Sequence, residues 1–204
     1  ITHLDPKAYR GALVVALAAR FAAAHRCGAS APPLAEEFFA YLESAIPEDL
    51  AHIRDWLVPL VESVASRERT QAYAEQLGQA RGVGGYVYHT VPICLHAWLS
   101  HPHDFETAVA AIIECGGDAD TTAAIVGGIA GASLDAAGRG AVRDVLGGLV
   151  EWPWSVERLE AIASHENVPG LYRSPMIWLL RLPRNVLFFL VVLVHGFRRL
   201  LPPY

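Results

Sequence analysis

Apolar positions recur at helical spacing along most of this chain. Leu13, Leu17, Phe21 and Ala24 predict one face of a first helix. Asp5 ahead of it is suited to the N-cap and Pro6 to the first helical position, and Cys27-Gly28-Ala29-Ser30 ends the segment. After Pro32-Pro33 a second helix carries Phe38, Phe39, Leu42 and Ile46. A third carries Ile53, Trp56, Leu57, Leu60, Val61 and Val64, and Pro59 inside it is expected to split or kink it. Residues 78–85 are glycine-rich and read as a loop. Val91, Leu95, Trp98 and Leu99 mark another helix, with Pro92 in its first turn. Asp104 caps the next one, whose predicted buried face is Phe105, Val109, Ile112 and Ile113. Residues 121–132 are apolar on nearly every side and predict a buried central helix. No segment alternates as a strand does, so the expected fold is all-α, a compact multi-helix bundle with short connections.

Composition narrows this picture. With 204 residues, 53% of them hydrophobic, the chain has ample material for a core and fits one domain, or one domain with an appendage. The net charge of −5 argues against a nucleic-acid footprint. Cys27, Cys94 and Cys115 lack C-x-x-C spacing and form neither a disulfide framework nor a zinc ribbon. A reducing compartment follows, and a cytoplasmic location is the expectation. The opening residues do not read as a secretory leader. Lys7 is the only lysine in an arginine- and alanine-rich chain, which reads as base composition rather than function.

Candidate chemistry concentrates in Gly116-Gly117-Asp118-Ala119-Asp120-Thr121-Thr122. Two carboxylates and two hydroxyls stand directly before an apolar helix. Acidic groups at that position either cap the helix or hold a hard cation, and magnesium favours an all-oxygen donor set. The pattern differs from an EF-hand loop, since Ile129 stands where the bidentate glutamate would be. It also differs from the dehalogenase-type D-x-D-x-T, which follows a buried strand. The small residues Ala123, Gly127, Gly131 and Ala124, Gly128, Ala132 leave two nearly bare faces. The apolar run is too short to span a bilayer.

The run from Gly116 to Ala132 resembles the C-terminal signature of the ADP-ribosylglycohydrolase family, which includes the dinitrogenase-reductase-activating glycohydrolases and the (ADP-ribosyl)hydrolases. Gly85-Tyr86-Val87-Tyr88-His89-Thr90-Val91-Pro92, then Trp98 and Asp104-Phe105-Glu106-Thr107-Ala108-Val109, is similar to the family's run into that signature. Thr2-His3-Leu4-Asp5-Pro6 is similar to the start of a family helix. The likeness covers roughly residues 1 to 160. It implies an all-helical enzyme with two magnesium ions that hydrolyses ADP-ribose glycosidic bonds. It also implies that Asp118, Asp120 and Thr121 are metal ligands, that His3 lies near bound ADP-ribose, and that Tyr86 stands at the substrate cleft. ADP-ribose or an ADP-ribosylated substrate is the expected partner.

Other family features find no match. The family's Gly-Asp-Ala-x-Gly, Thr-Asp-Asp-Thr, Gly-Asn-Gly and Met-Arg segments and its catalytic acid are not found, so no catalytic acid or base is assigned. The expectation is that the chain represents the C-terminal portion of the family fold and needs upstream sequence for activity. The alternative is a non-catalytic ADP-ribose-binding or scaffold remnant. Domain organisation is expected as residues 1–165 for the family-like helical part and 166–204 for an apolar extension. Within that extension, residues 186–194 are continuously apolar, with Arg181 and Arg184 before and Arg198 and Arg199 after. A helix buried against the domain or a partner, and a membrane-surface helix over residues 186–199, are the two readings. His101-Pro102-His103 reads as a loop and helix start. His89 and His96 read as core or surface histidines, Cys115 as a packing residue, and Arg67-Glu68-Arg69 as a solvated face.

Overall fold

The computed structural model describes residues 5–25, 34–46, 50–134 and 175–199, with residues 138, 140, 142, 156 and 164. Among them are eight helices and no strand. These are α1 (Pro6–Ala24), α2 (Leu34–Ala45), α3 (Leu50–Ala65), α4 (Thr70–Gln76), α5 (Val87–Ser100), α6 (Phe105–Ile113), α7 (Ala119–Ser133) and α8 (Pro175–Arg198). The chain divides into two units, Ile1–Val142 and Arg143–Tyr204. The first seven helices belong to the first unit and α8 to the second. The all-α expectation holds.

Local signals explain where several helices begin. The Asp5 carboxylate accepts the backbone N–H of Lys7 at 2.8 Å, with Pro6 in the first turn of α1. Asp104 caps α6 by accepting the N–H of Thr107 at 3.0 Å and its hydroxyl at 2.6 Å. These bonds hold the Asp104 carboxyl below the usual carboxylate range.

The helix at the centre of the bundle is α5. Every residue from Thr90 to Leu99 is buried, and α5 packs against α1, α3, α4, α6 and α7. This corrects the expectation that residues 121–132 form the buried centre. In α7 only Thr122, Val126, Ile129, Ala130 and Ser133 are buried. One small-residue face receives the Phe105 ring, since a Cβ at Gly127 would stand 3.8 Å from it. Gly128, on another face, has nothing within 4 Å.

Two further corrections share a physical cause, which is that small residues were underweighted. The buried face of α1 is Gly11, Val14, Ala18, Phe21 and Ala22, while Leu13 and Leu17 flank it and Ala24 is exposed. In α6 the buried residues are Ala108 and Ile112, Phe105 and Val109 are partly buried, and Ile113 is 49% exposed. Short side chains at these contacts allow the backbones to approach, and the larger ones pack around the margin. Helix α5 starts at Val87, so Pro92 lies beyond its first turn and is buried.

Helix α3 continues through Pro59 as one element. Pro59 and Asp55 are both exposed, so water can serve the Asp55 carbonyl that loses its helical donor. Phe21, Phe38 and Trp98 join α1, α2 and α5 in edge-on aromatic contacts with centroids 5.3–6.4 Å apart. His96 of α5 is fully buried. Its ring nitrogens reach Ser63 at 3.0 Å and Thr70 at 3.1 Å, and Tyr73 stacks on it at 4.7 Å. Glu68, expected on a solvated face, is half-buried and accepts the hydroxyl of Ser63 at 2.5 Å.

Candidate active site

The N-terminus of α7 is built by a backbone clamp. After α6 the chain reverses through Gly116 and Gly117, with φ of +69° and +82°. These values lie in the left-handed region that glycine enters without steric cost. The Val83 N–H donates to the Gly116 carbonyl at 3.0 Å, and the Asp118 N–H donates to the Val83 carbonyl at 2.9 Å. A Cβ on Gly117 would lie 2.3 Å from the Val83 carbonyl oxygen, so only glycine fits. The glycine-rich loop read from the sequence therefore fixes where the acidic segment starts. Thr90 fastens the same loop to α5 by donating to the Gly84 carbonyl at 2.6 Å.

Asp118 occupies the N-cap position of α7, but its side chain makes no capping hydrogen bond. The Thr122 hydroxyl donates to the Asp118 backbone carbonyl at 3.0 Å, not to its carboxylate. Asp120 is exposed in the first turn. Hydrogen bonding with the Asp118 side chain, then with the backbone at Thr121, holds the Asp120 carboxyl below its ordinary range. The two carboxylates thus lie within reach of one another. Among the described residues no group of three or more His, Cys, Asp or Glu converges. The oxygen set here is two carboxylates and the Thr121 hydroxyl.

Thr121 opens onto a cavity of about 750 Å³ between α1, the start of α5 and α7. Tyr86 lies on the same cavity, with Lys7 of α1 opposite. Ala124 and Gly128 supply bare walls from α7. Asp118 and Asp120 are not among its lining residues. The Lys7 ammonium donates to the Tyr86 hydroxyl at 3.3 Å and stands 5.7 Å from that ring's centroid. That bond raises the Lys7 pKa and keeps a positive charge at the cavity rim. Such a space, apolar along its walls with few polar groups at one end, suits a small organic ligand.

His3 lies outside the described residues. Sequence reasoning overlooked Lys7, whose one signal was being the only lysine, and Val83, which acts through its backbone. Cys115 is buried and its thiol donates to the Ala111 carbonyl at 3.3 Å. Burial raises its pKa, as it does more strongly for Cys94, up to about 12. Both remain thiols, in keeping with packing roles.

No curated protein and no solved structure matches the chain. A family model described as ADP-ribosylglycohydrolase matches residues 1–175. That span includes the clamp, the acidic turn and all three walls of the cavity. With a match of this extent on an all-helical fold, the chain belongs to the ADP-ribosylglycohydrolase family, hydrolases of ADP-ribosylated substrates.

Proposed function

We propose that this chain serves magnesium-dependent hydrolysis of the glycosidic bond at the C1″ carbon of ADP-ribose, with Asp118, Asp120 and Thr121 as ligands on one side of a two-magnesium site. The observation that carries the reading is the position of Thr121. It shares a helix turn with Asp118, whose side chain makes no capping bond, and with Asp120, and it lines the cavity that Tyr86 also lines. The donor set fits a hard cation: all oxygen, two anionic, at an exposed turn.

In this reading Asp118 and Asp120 offer carboxylate oxygens, Asp120 with a pKa held below the usual range, and Thr121 adds a neutral oxygen. Magnesium, when bound, would supply positive charge for substrate oxygens and lower the pKa of a water. Tyr86 presents an aromatic face to the ligand in the cavity; a role for His3 rests on the family resemblance alone. Lys7, held by Tyr86, sets a cation where the anionic diphosphate of an ADP-ribose group would be attracted. The bare walls at Ala124 and Gly128 leave room for the ligand's body. The general acid or base and the opposing metal ligands come from outside these residues.

The test is a calorimetric titration of magnesium into the chain with ADP-ribose present. Asp118→Ala and Asp120→Ala should each abolish or strongly weaken the magnesium-dependent heat. Unchanged binding in both variants would return Asp118 and Asp120 to a structural role. ADP-ribose binding that persists without magnesium would favour a non-catalytic binding module.

A further inference from the structure

The family match ends at residue 175, and α8 begins there. It is a helix of 24 residues in the second unit. At 1.5 Å rise per residue it extends about 36 Å. Its apolar side chains are in the open: Phe189 is 59% exposed, Leu190 52%, Val194 66% and Phe197 63%. No described helix is long and apolar enough to cross a membrane.

The polar residues of α8 are ordered around its axis. At 3.6 residues per turn, Arg181, Arg184, Asn185, His195 and Arg198, with Arg199 just beyond the helix, fall within an arc of about 140°. Leu182, Val186, Phe189, Leu190, Leu193 and Phe197 fill the opposite side. The apolar positions 177, 180, 188, 191 and 192 share that arc, and the cations form two groups along the helix, Arg181 and Arg184 before the apolar run and Arg198 and Arg199 after it. Charge is as one-sided as hydrophobicity. In a chain of net charge −5, the part after Glu166 holds five arginines and no acidic residue.

We propose that α8 lies flat on an anionic lipid bilayer. Its continuous apolar side would enter the acyl boundary, and its arginines would stand at the headgroups. An apolar side alone would equally suit a second copy of the chain. The charge decides between them. Two α8 helices would bring cations together with no carboxylate of their own to answer them, whereas an anionic headgroup layer complements cations at both ends of the helix. The arginine stems also reach past the apolar side while their guanidinium groups remain in water. Binding here would keep the family domain at a membrane surface, independently of what its cavity holds.

The experiment is flotation of the full chain with vesicles of phosphatidylcholine alone and of phosphatidylcholine with phosphatidylserine. Binding is expected on the anionic vesicles and should weaken as salt rises. Replacing Arg181, Arg184, Arg198 and Arg199 by Gln should lower it by about fivefold per arginine. Phe189→Glu should abolish it, and far-ultraviolet dichroism matching the parent's helical signal establishes that each variant has folded. Equal binding to both vesicle types, insensitive to the arginine changes, would overturn the proposal. Absence of vesicle binding together with concentration-dependent dimerisation that Phe189→Glu removes would overturn it in favour of a second copy.

Discussion

Val83 and Asp118 are joined through their backbones: the Asp118 N–H donates to the Val83 carbonyl at 2.9 Å, in a bridge that also ties Val83 to Gly116. The acidic turn is thereby anchored by a loop distant in sequence. Gly117→Ala should strain this bridge, because the new Cβ meets backbone rather than a movable side chain. A loss of about 1–3 kcal/mol is expected, measured by urea denaturation. Magnesium binding should weaken beyond what the stability loss accounts for. A variant as stable as the parent would remove the clamp from the argument.

Two adjacent glycines of α7 should respond differently. Gly127 faces Phe105, so Gly127→Leu overfills a packed contact and should cost about 1–3 kcal/mol. Gly128 borders the cavity with no neighbour within 4 Å. Gly128→Leu should fold with near-parental stability and lose ADP-ribose binding instead. Thermal melts and a ligand titration on the same pair of proteins separate the two effects.

Magnesium binding should also report the acidity of Asp120. Its pKa is depressed in the folded chain, so the carboxylate is charged at and above the ordinary carboxylate range. Affinity should be flat through neutral pH and should fall only as the pH drops below that range, where protonation removes the ligand. Asp120→Asn should remove most of the affinity. An affinity that instead halves near the ordinary pKa of an isolated aspartate would count against the Asp118–Asp120 pairing.

His96 gives a pH dependence of stability. Burial, with a smaller contribution from His101, lowers its pKa from 6.5 to about 4. Below pH 6.5 the unfolded chain takes up a proton that the folded chain does not, so stability declines as the pH falls and levels off near 4. The full effect is about 3 kcal/mol. Chemical denaturation of the parent and of His96→Gln across this window should differ in slope, with the variant flatter.

Residues 1–204 assayed alone with magnesium and an ADP-ribosylated substrate should show no turnover. Asp118, Asp120 and Thr121 come from one short stretch and approach a metal from one side. Two dications held close together repel unless further anions oppose them. Turnover that Asp118→Ala abolishes would show that this chain holds a complete site.

How much of this was legible follows from what leaves a mark on sequence. Large apolar residues at helical spacing located α2 and α3, and Asp5-Pro6 and Asp104 marked two helix starts. The buried faces of α1 and α6 were misread because Gly11, Ala18, Ala22 and Ala108 are buried through backbone proximity, which a count of bulky side chains underrates. The opposite error made α7 look central, since glycine and alanine lining an open cavity resemble glycine and alanine packed against a helix. The acidic turn was legible as a motif. Its anchor was not, because a backbone bridge at Val83 leaves only the neighbouring glycines as a trace. Lys7 carried a signal as the only lysine, but nothing in the sequence placed it beside Tyr86.

Helix α5 has ten consecutive buried residues, from Thr90 to Leu99. Their amides can meet solvent deuterium only when the five surrounding helices part, so their exchange should track opening of the whole family-like unit. The amides of Ala124 and Gly128, on the cavity side of α7, need only local fraying. A ligand that closes the cavity should therefore slow exchange in α7 at concentrations where α5 already exchanges at its limit.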